Sequence, residues 1–183
     1  MKNKIFRIFL PALLAIVLLS CGRRDEYRIY GRVVSNELED VQVFLVPLGH
    51  EEPENVDSVH IRNHEFFFKG RRHWMCEIRL DKYQRDKGQN LLVATEPGDI
   101  YVTIGPDSSG GGTPQNDSLQ VWKRLTIENG KAYGALLNAG LKPQADSIRA
   151  AYRDRTRSMA QSLGAESIAG EFLLKLYPLP GKQ

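Results

Sequence analysis

The chain has 183 residues, which suits a single domain, since a chain of about 150 residues buries some 70% of its unfolded surface. Its 25 basic and 22 acidic side chains leave a formal charge of +3, and Lys2, Lys4 and Arg7 account for all of it; residues 21–183 carry 22 of each sign, so nothing here argues for nucleic-acid binding. The two cysteines, Cys21 and Cys76, form no Cys-x-x-Cys, which excludes a self-contained thiol oxidoreductase, and no internal repeat is visible.

The three N-terminal cations precede an apolar run over residues 8–19, twelve residues long. A transmembrane helix needs about 20 apolar residues, and Pro11 further disfavours a settled helix. A short apolar run behind a basic flank is the pattern of an export signal. The run closes on Leu18-Leu19-Ser20-Cys21-Gly22, which looks like a bacterial lipobox. That likeness implies a diacylglycerol thioether on Cys21 and an acyl chain on its amine, with residues 1–20 removed as a lipoprotein signal peptide. Each buried methylene contributes about 0.8 kcal/mol, so two or more chains make a stable anchor. Residues 21–26 then form a short lipidated tether.

About seven strand-like segments follow. Residues 27–35 place Ile29 and Val33 on one side and Arg28 and Arg32 on the other. Residues 41–47 group Val41, Val43 and Leu45. Residues 56–62 and 65–70 read as a hairpin with Asn63-His64 at its turn. The implied register sets Arg62 against Glu65, Ile61 against Phe66, His60 against Phe67 and Val59 against Phe68, and a one-residue slip breaks every match. Residues 74–80, 90–96 and 99–105 complete the set. Period-two alternation bounded by Gly, Pro, Asn and Asp carries the assignment, and Glu96-Pro97-Gly98-Asp99 has the form of a type II turn. The second face of several strands bears Tyr30, Val34, Phe44, Val46 and Phe67, so the sheets call for cover on both sides.

The C-terminal part supplies that cover. Residues 106–112, with Gly110-Gly111-Gly112, read as a mobile connecting loop. Thr113-Pro114 has the form of an N-cap and first-turn proline, opening a helix over residues 114–128 with Leu119, Trp122 and Leu125 on one stripe and Asn129-Gly130 as its stop. A second helix spans residues 143–163, and a third spans residues 167–177.

No catalytic signature stands out. His60 and His64 are four residues apart, but they flank a turn and lack the Glu of a zinc-protease motif; His73 and Cys76 add nothing firmer. Cys76 alternates with Trp74, Ile78 and Leu80, the setting of an inert core thiol. The triple glycine is followed by no Gly-Lys-Ser/Thr, so it is no phosphate loop. The clusters Arg71-Arg72-His73 and Arg153, Arg155, Arg157 could meet anionic headgroups or glycan, though acidic neighbours favour solvated faces. Glu51-Glu52 is isolated from any partner acid of a glycosidase pair.

The segments Tyr27-x-Ile29-x-Gly31-x-Val33, Asn63-x-x-Phe66-x-Phe68-x-Gly70, Glu96-Pro97-Gly98-Asp99-Ile100 and Gly112-Thr113-x-x-Asn116-Asp117 occur in this order. Together they resemble an uncharacterised domain family of Bacteroidetes lipoproteins, usually found N-terminal to a thioredoxin-like domain. The resemblance covers about residues 27–125. It implies a bacterial envelope setting, at the outer membrane, with the periplasmic and surface faces both open. This chain departs from that pattern in having no redox cysteine pair within its 183 residues, and the expectation is that it stands without the thioredoxin-like domain, so no redox role and no catalytic residue carries over.

The expectation is therefore a mainly β fold with C-terminal helices, a β-sandwich or partly open barrel of about seven antiparallel strands plus two to three helices. Residues 27–105 form the β domain, and residues 106–183 form a loop and helical part packed on it. The expected function is a non-enzymatic, envelope-tethered binding or accessory module, with no cofactor, no metal, and an envelope protein or glycan as partner. The rivals are an enzyme of unrecognised type and a stand-alone relative of redox lipoproteins whose Cys76 docks a thiol partner.

Overall fold

A computed structural model describes residues 25–81, 84 and 86–181. Eight strands and three helices follow one another in it. The strands are β1 (Tyr27–Val33), β2 (Gln42–Pro47), β3 (Asp57–His60), β4 (Glu65–Gly70), β5 (Met75–Leu80), β6 (Leu91–Ala94), β7 (Gly98–Ile104) and β8 (Ser109–Gly111). The helices are α1 (Pro114–Asn138), α2 (Lys142–Leu163) and α3 (Ile168–Leu176). The strands form two four-stranded sheets, ordered β4-β1-β7-β8 and β3-β2-β5-β6, stacked as a sandwich rather than closed as a barrel.

The alternation read along the chain builds the core between the sheets. Ile29, Val33, Phe66, Phe68, Ile100, Val102 and Ile104 come from the first sheet. Val43, Leu45, Cys76, Ile78, Leu80, Leu91 and Val93 come from the second. Burying each large aliphatic side chain contributes roughly 1.5–3 kcal/mol. Gly31 is the close-approach point, since a Cβ there would lie 2.1 Å from Phe66 Cζ. The Phe66 ring occupies the space that a side chain at residue 31 would need.

Several expectations need correction. The strands are not all antiparallel: β1 and β7 pair in parallel from Tyr27↔Gly98 to Val33↔Ile104. The hairpin of residues 56–70 exists only as its turn. Asn63 and His64 both take positive φ, +54° and +63°, and Arg62 and Glu65 exchange backbone hydrogen bonds at 2.9 and 3.0 Å. Beyond that single pair the arms part. Val59 pairs with Val43, Phe68 pairs with Ile29 and Phe67 with Tyr30. β3 and β4 thus belong to different sheets, and the turn is a corner of the sandwich. Ile61 and Phe66 still both reach the core, which is why the pattern allowed either arrangement.

The expected type II turn at residues 96–99 is also absent. Gly98 has φ +130°, far from the roughly +80° of that turn, and its N–H donates to Glu26 O at 3.1 Å as β7 opens. The stretch expected as a mobile loop contains β8, which pairs Gly111 with Tyr101 and Ser109 with Thr103. The first helix does not stop at Asn129-Gly130. It runs on to Asn138 and ends before Gly140, at φ +73°. An interior glycine costs a helix about 1 kcal/mol. Antiparallel packing on α2 offsets it: Thr126 Oγ1 lies 2.7 Å from Tyr152 Oη, and the Arg149 guanidinium lies 5.4 Å from the Tyr133 ring centroid.

The helices cover one sheet only. Met75 and Ala94, on the outer face of the β3-β2-β5-β6 sheet, pack with Leu119 and Ala169, joined by Leu92, Trp122, Ile168 and Phe172. Trp122 and Phe172 meet edge to face at 6.1 Å. The outer face of the β4-β1-β7-β8 sheet has no such cover, contrary to the expectation that both sheets are covered.

Candidate functional site

The strand register lays side chains out in rows on that open face. Lys69, Arg28 and Asp99 form the first row, Phe67, Tyr30 and Tyr101 the second, and Glu65, Arg32 and Thr103 the third. The rows follow from sequence alternation: residues 28, 30 and 32, residues 65, 67 and 69, and residues 99, 101 and 103 point one way because the intervening positions fill the core. In the first row Arg28 Nε donates to Asp99 Oδ1 at 2.7 Å. In the second, the Tyr30 ring lies 5.2 Å from Phe67 and 5.5 Å from Tyr101 between centroids, the latter pair nearly parallel at 19°. These rings remain open to solvent: Phe67 is 41% exposed, Tyr30 42% and Tyr101 58%.

The glycines beside this row shape it. A Cβ on Gly112, itself at φ +99°, would come within 2.8 Å of the Tyr101 ring. Gly111 stands opposite Tyr101 with no side chain, and a Cβ there would meet Asp117 Oδ1 at 2.6 Å. The triple glycine is therefore neither a phosphate cradle nor a connector. It is a bare edge that leaves room for the Tyr101 ring. The resulting depression holds about 820 Å3 and is bordered by Arg32, Arg62 and His60 on one side and by Gln120 and Arg124 of α1 on the other. Asp40 holds Arg62 at 2.8 Å and lies 3.3 Å from His60 Nδ1. Arg32 and Arg124 have no ion-pair partner among the described residues.

A second polar constellation is buried and structural. Glu96 Oε1 accepts from the Gln115 N–H at 2.7 Å and the Asn116 N–H at 3.4 Å, and Oε2 accepts from Gln115 Nε2 at 3.1 Å. A carboxylate at the first turn of α1 satisfies donors that the helix cannot. Thr113, the expected cap, makes no side-chain bond to the helix N–H groups; its Oγ1 instead accepts from Asn116 Nδ2 at 2.8 Å. The Asn116 amide also accepts from Ala94 N–H at 3.0 Å and donates to Ala94 O at 2.8 Å, extending β6 as a strand would. Gln115 Oε1 accepts from Ala169 N–H at 2.8 Å, tying in α3. Two short segments far apart in sequence, residues 96–100 and 112–117, thus meet as one joint between sheet and helices.

The other residues singled out in the sequence divide as follows. Cys76 is buried, and burial pushes its thiol up to about 12, so it stays protonated at neutral pH. It lines a 250 Å3 recess with Tyr27, whose phenol is raised first by burial and then by the Asp57 charge. His64 stands in the corner turn itself, whereas His60 ends β3 with Nδ1 2.9 Å from Asp40 O. His73 Nε2 lies 3.4 Å from Asp25 Oδ1. Arg72 donates to Asn55 Oδ1 at 2.6 Å and lies 5.3 Å from the Trp74 ring centroid, and Arg157 pairs with Asp154 at 2.9 Å. No cluster of three or more His, Cys, Asp or Glu that could hold a metal occurs among the described residues. Among the same residues no helix is long and apolar enough to cross a membrane. Cys21, expected to carry the lipid, lies outside the described residues, as do residues 1–20, expected as the signal peptide, and residues 22–24 of the expected tether.

The aromatic row was only half visible in the sequence. Tyr30 and Phe67 read in the sequence as apolar residues on a second face that calls for cover. Tyr101 is outside that expected set, although its alternation with Ile100 and Val102 turns it to the same face. A family model described as a domain of unknown function (DUF4369) matches residues 27–119, a span that takes in both sheets, the aromatic row and the Glu96–Asn116 joint. No curated protein and no solved structure matches the chain.

Proposed function

This chain belongs to the family of the domain of unknown function DUF4369, and from that premise we propose that it is a non-enzymatic binding module tethered to a bacterial envelope through lipid on Cys21. Its ligand-binding surface is the outer face of the β4-β1-β7-β8 sheet. One observation carries the reading: three adjoining aromatic rings on that face are 41–58% exposed, while the other sheet's outer face is packed under helices. Exposed contiguous apolar surface rimmed by polar groups marks interaction sites, and aromatic side chains dominate interface energetics. The lipobox-like ending at Cys21 supports the tether, and the likeness to envelope lipoproteins that precede a thioredoxin-like domain supports the location.

The binding face is tested by a photo-crosslinking amino acid at Tyr101, with the same group at Asp146 on α2 as control. An adduct with an envelope component at Tyr101 but not at Asp146 is expected; equal or absent adducts would overturn the assignment. The tether is tested separately by Cys21→Ala, which should move the protein from the membrane to the soluble fraction. Retention of that variant on membranes at high salt would remove the lipid anchor from the reading.

A further inference from the structure

We propose that the open face takes an acidic polysaccharide, a chain of sugar rings bearing carboxylates; this rests on the reading of that face as the binding surface. The argument starts from what the face asks of any occupant. Its centre is the row Phe67–Tyr30–Tyr101, with the Tyr30 and Tyr101 rings stacked nearly parallel and Phe67 tilted against Tyr30. The exposed surface of such a row accepts flat groups with apolar faces, and the Tyr30 and Tyr101 hydroxyls offer hydrogen bonds at its edge. The third row and the α1 border add Arg32 and Arg124, two guanidinium groups without an ion-pair partner among the described residues. Arg62 is spoken for by Asp40 at 2.8 Å.

Those two arginines decide among the occupants. A purely apolar partner would desolvate them without compensation, which is strongly unfavourable. A second copy of this chain, docked face to face, would bring the same cationic border against itself; Glu65, beside Arg32 in the register, is the one carboxylate bordering the depression. An anionic partner with flat apolar faces meets both demands. The C–H faces of a sugar ring lie against aromatic rings, its hydroxyls reach the phenols, and its carboxylate fits the fork of a guanidinium. A single-stranded nucleic acid also combines rings and anions, but it needs a track of cations along its backbone. Residues 21–183 carry equal numbers of acidic and basic groups, and the face offers two unpaired arginines, which suits isolated carboxylates better than a continuous phosphate chain.

The test uses the full chain in a neutral detergent and three probes: polygalacturonate, the same polymer with its carboxyls reduced to alcohols, and a single-stranded oligothymidine. Affinity electrophoresis or calorimetry should give binding to polygalacturonate that falls at least about tenfold with the reduced polymer. Arg32→Gln with Arg124→Gln should cost at least about tenfold, the worth of one charge-assisted hydrogen bond. Tyr101→Ala should weaken binding to both polymers while leaving the melting temperature unchanged, because the ring is more than half exposed. Equal affinity for the two polymers, preference for the oligonucleotide, or indifference to all three substitutions would overturn the proposal. Absence of polygalacturonate binding alongside specific crosslinks at Tyr101 would remove the ligand class and leave the binding face standing. Absence of both would remove the two together.

Discussion

The Glu96 carboxylate caps a helix that begins well beyond it in sequence: Oε1 accepts the Gln115 backbone N–H at 2.7 Å across nineteen positions of chain. The same oxygen reaches the Asn116 N–H at 3.4 Å. Side-chain caps typically come from the residue before the helix. Here the strand layer supplies the cap, so the helix is anchored to the sandwich at its first turn.

Removing this anchor should be costly. Glu96→Ala leaves the N–H groups of Gln115 and Asn116 without their acceptor and should lower stability by about 1–2 kcal/mol. Glu96→Gln retains an oxygen but loses the charge that suits a helix N-terminus, and should cost less. Urea unfolding reads this as a shift in midpoint at constant slope. Equal midpoints for wild type and Glu96→Ala would show that α1 needs no cap from the sheet.

Gly31 and Phe66 should behave as a coupled pair. A Cβ at residue 31 would fall 2.1–2.4 Å from three atoms of the Phe66 ring, a distance no packing tolerates. Gly31→Ala should therefore destabilise by roughly 1–3 kcal/mol, the cost of overpacking a core. Phe66→Leu removes the ring tip and should restore part of that loss. A double-mutant cycle should give a coupling energy above about 0.5 kcal/mol; additive effects would contradict the contact.

The corner turn should carry a pH-dependent contribution. Glu39 Oε1 and Oε2 accept the N–H groups of Asn63 and His64 at 2.9 and 3.1 Å. Those two backbone bonds are the main reason its carboxyl is held below the ordinary 4.5. A carboxyl lowered in the folded state contributes stability that is fully present above its unfolded value and is lost as pH falls through the folded one. The melting-temperature gap between wild type and Glu39→Ala should thus be constant above about pH 5 and close as the solution is acidified below 4.5. A gap independent of pH would show that the carboxylate does not hold the turn.

Cys76 should be chemically silent until the protein unfolds. Its side chain is buried and its thiol is pushed up to about 12 by desolvation, so thiolate is scarce at neutral pH. A maleimide or disulfide reagent at pH 8 should label it in denaturant and leave it unmodified in buffer. Rapid labelling in the folded state would revive the idea that Cys76 docks a thiol partner.

Much of the strand content was legible because alternation is local. Residues 27–35, 41–47, 74–80 and 99–105 read as strands from their own pattern, and the positive-φ turn at Asn63-His64 was recognisable from residue type. The partners of those strands were not legible. Apolar Ile61 and Phe66 suit a hairpin and a sandwich corner alike, and in the structure Phe66 pairs with Gly31 while Ile61 N–H donates to Val41 O. The run of residues 106–112 looked loose because glycine has no side chain to display a pattern, although β7 offers it an edge to pair with. Gly130 looked like a helix stop because nothing local reports the neighbouring α2. In the site, Cys76 declared itself as core through its neighbours, whereas Arg124 could join Arg32 only after α1 had been placed along the sheet.

By itself the sequence determined most of the strand content and which side of those strands is apolar, since these depend on interactions within a few residues. It also wrote the export-like N-terminus ending at Cys21. Only the tertiary structure decided that one sheet lies under helices and the other open to solvent. The apolar second faces of both sheets looked alike, and the helices pack their apolar side on the outer face of the β3-β2-β5-β6 sheet. That choice turns Tyr30 and Phe67 from residues expected under cover into surface, with Tyr101 beside them.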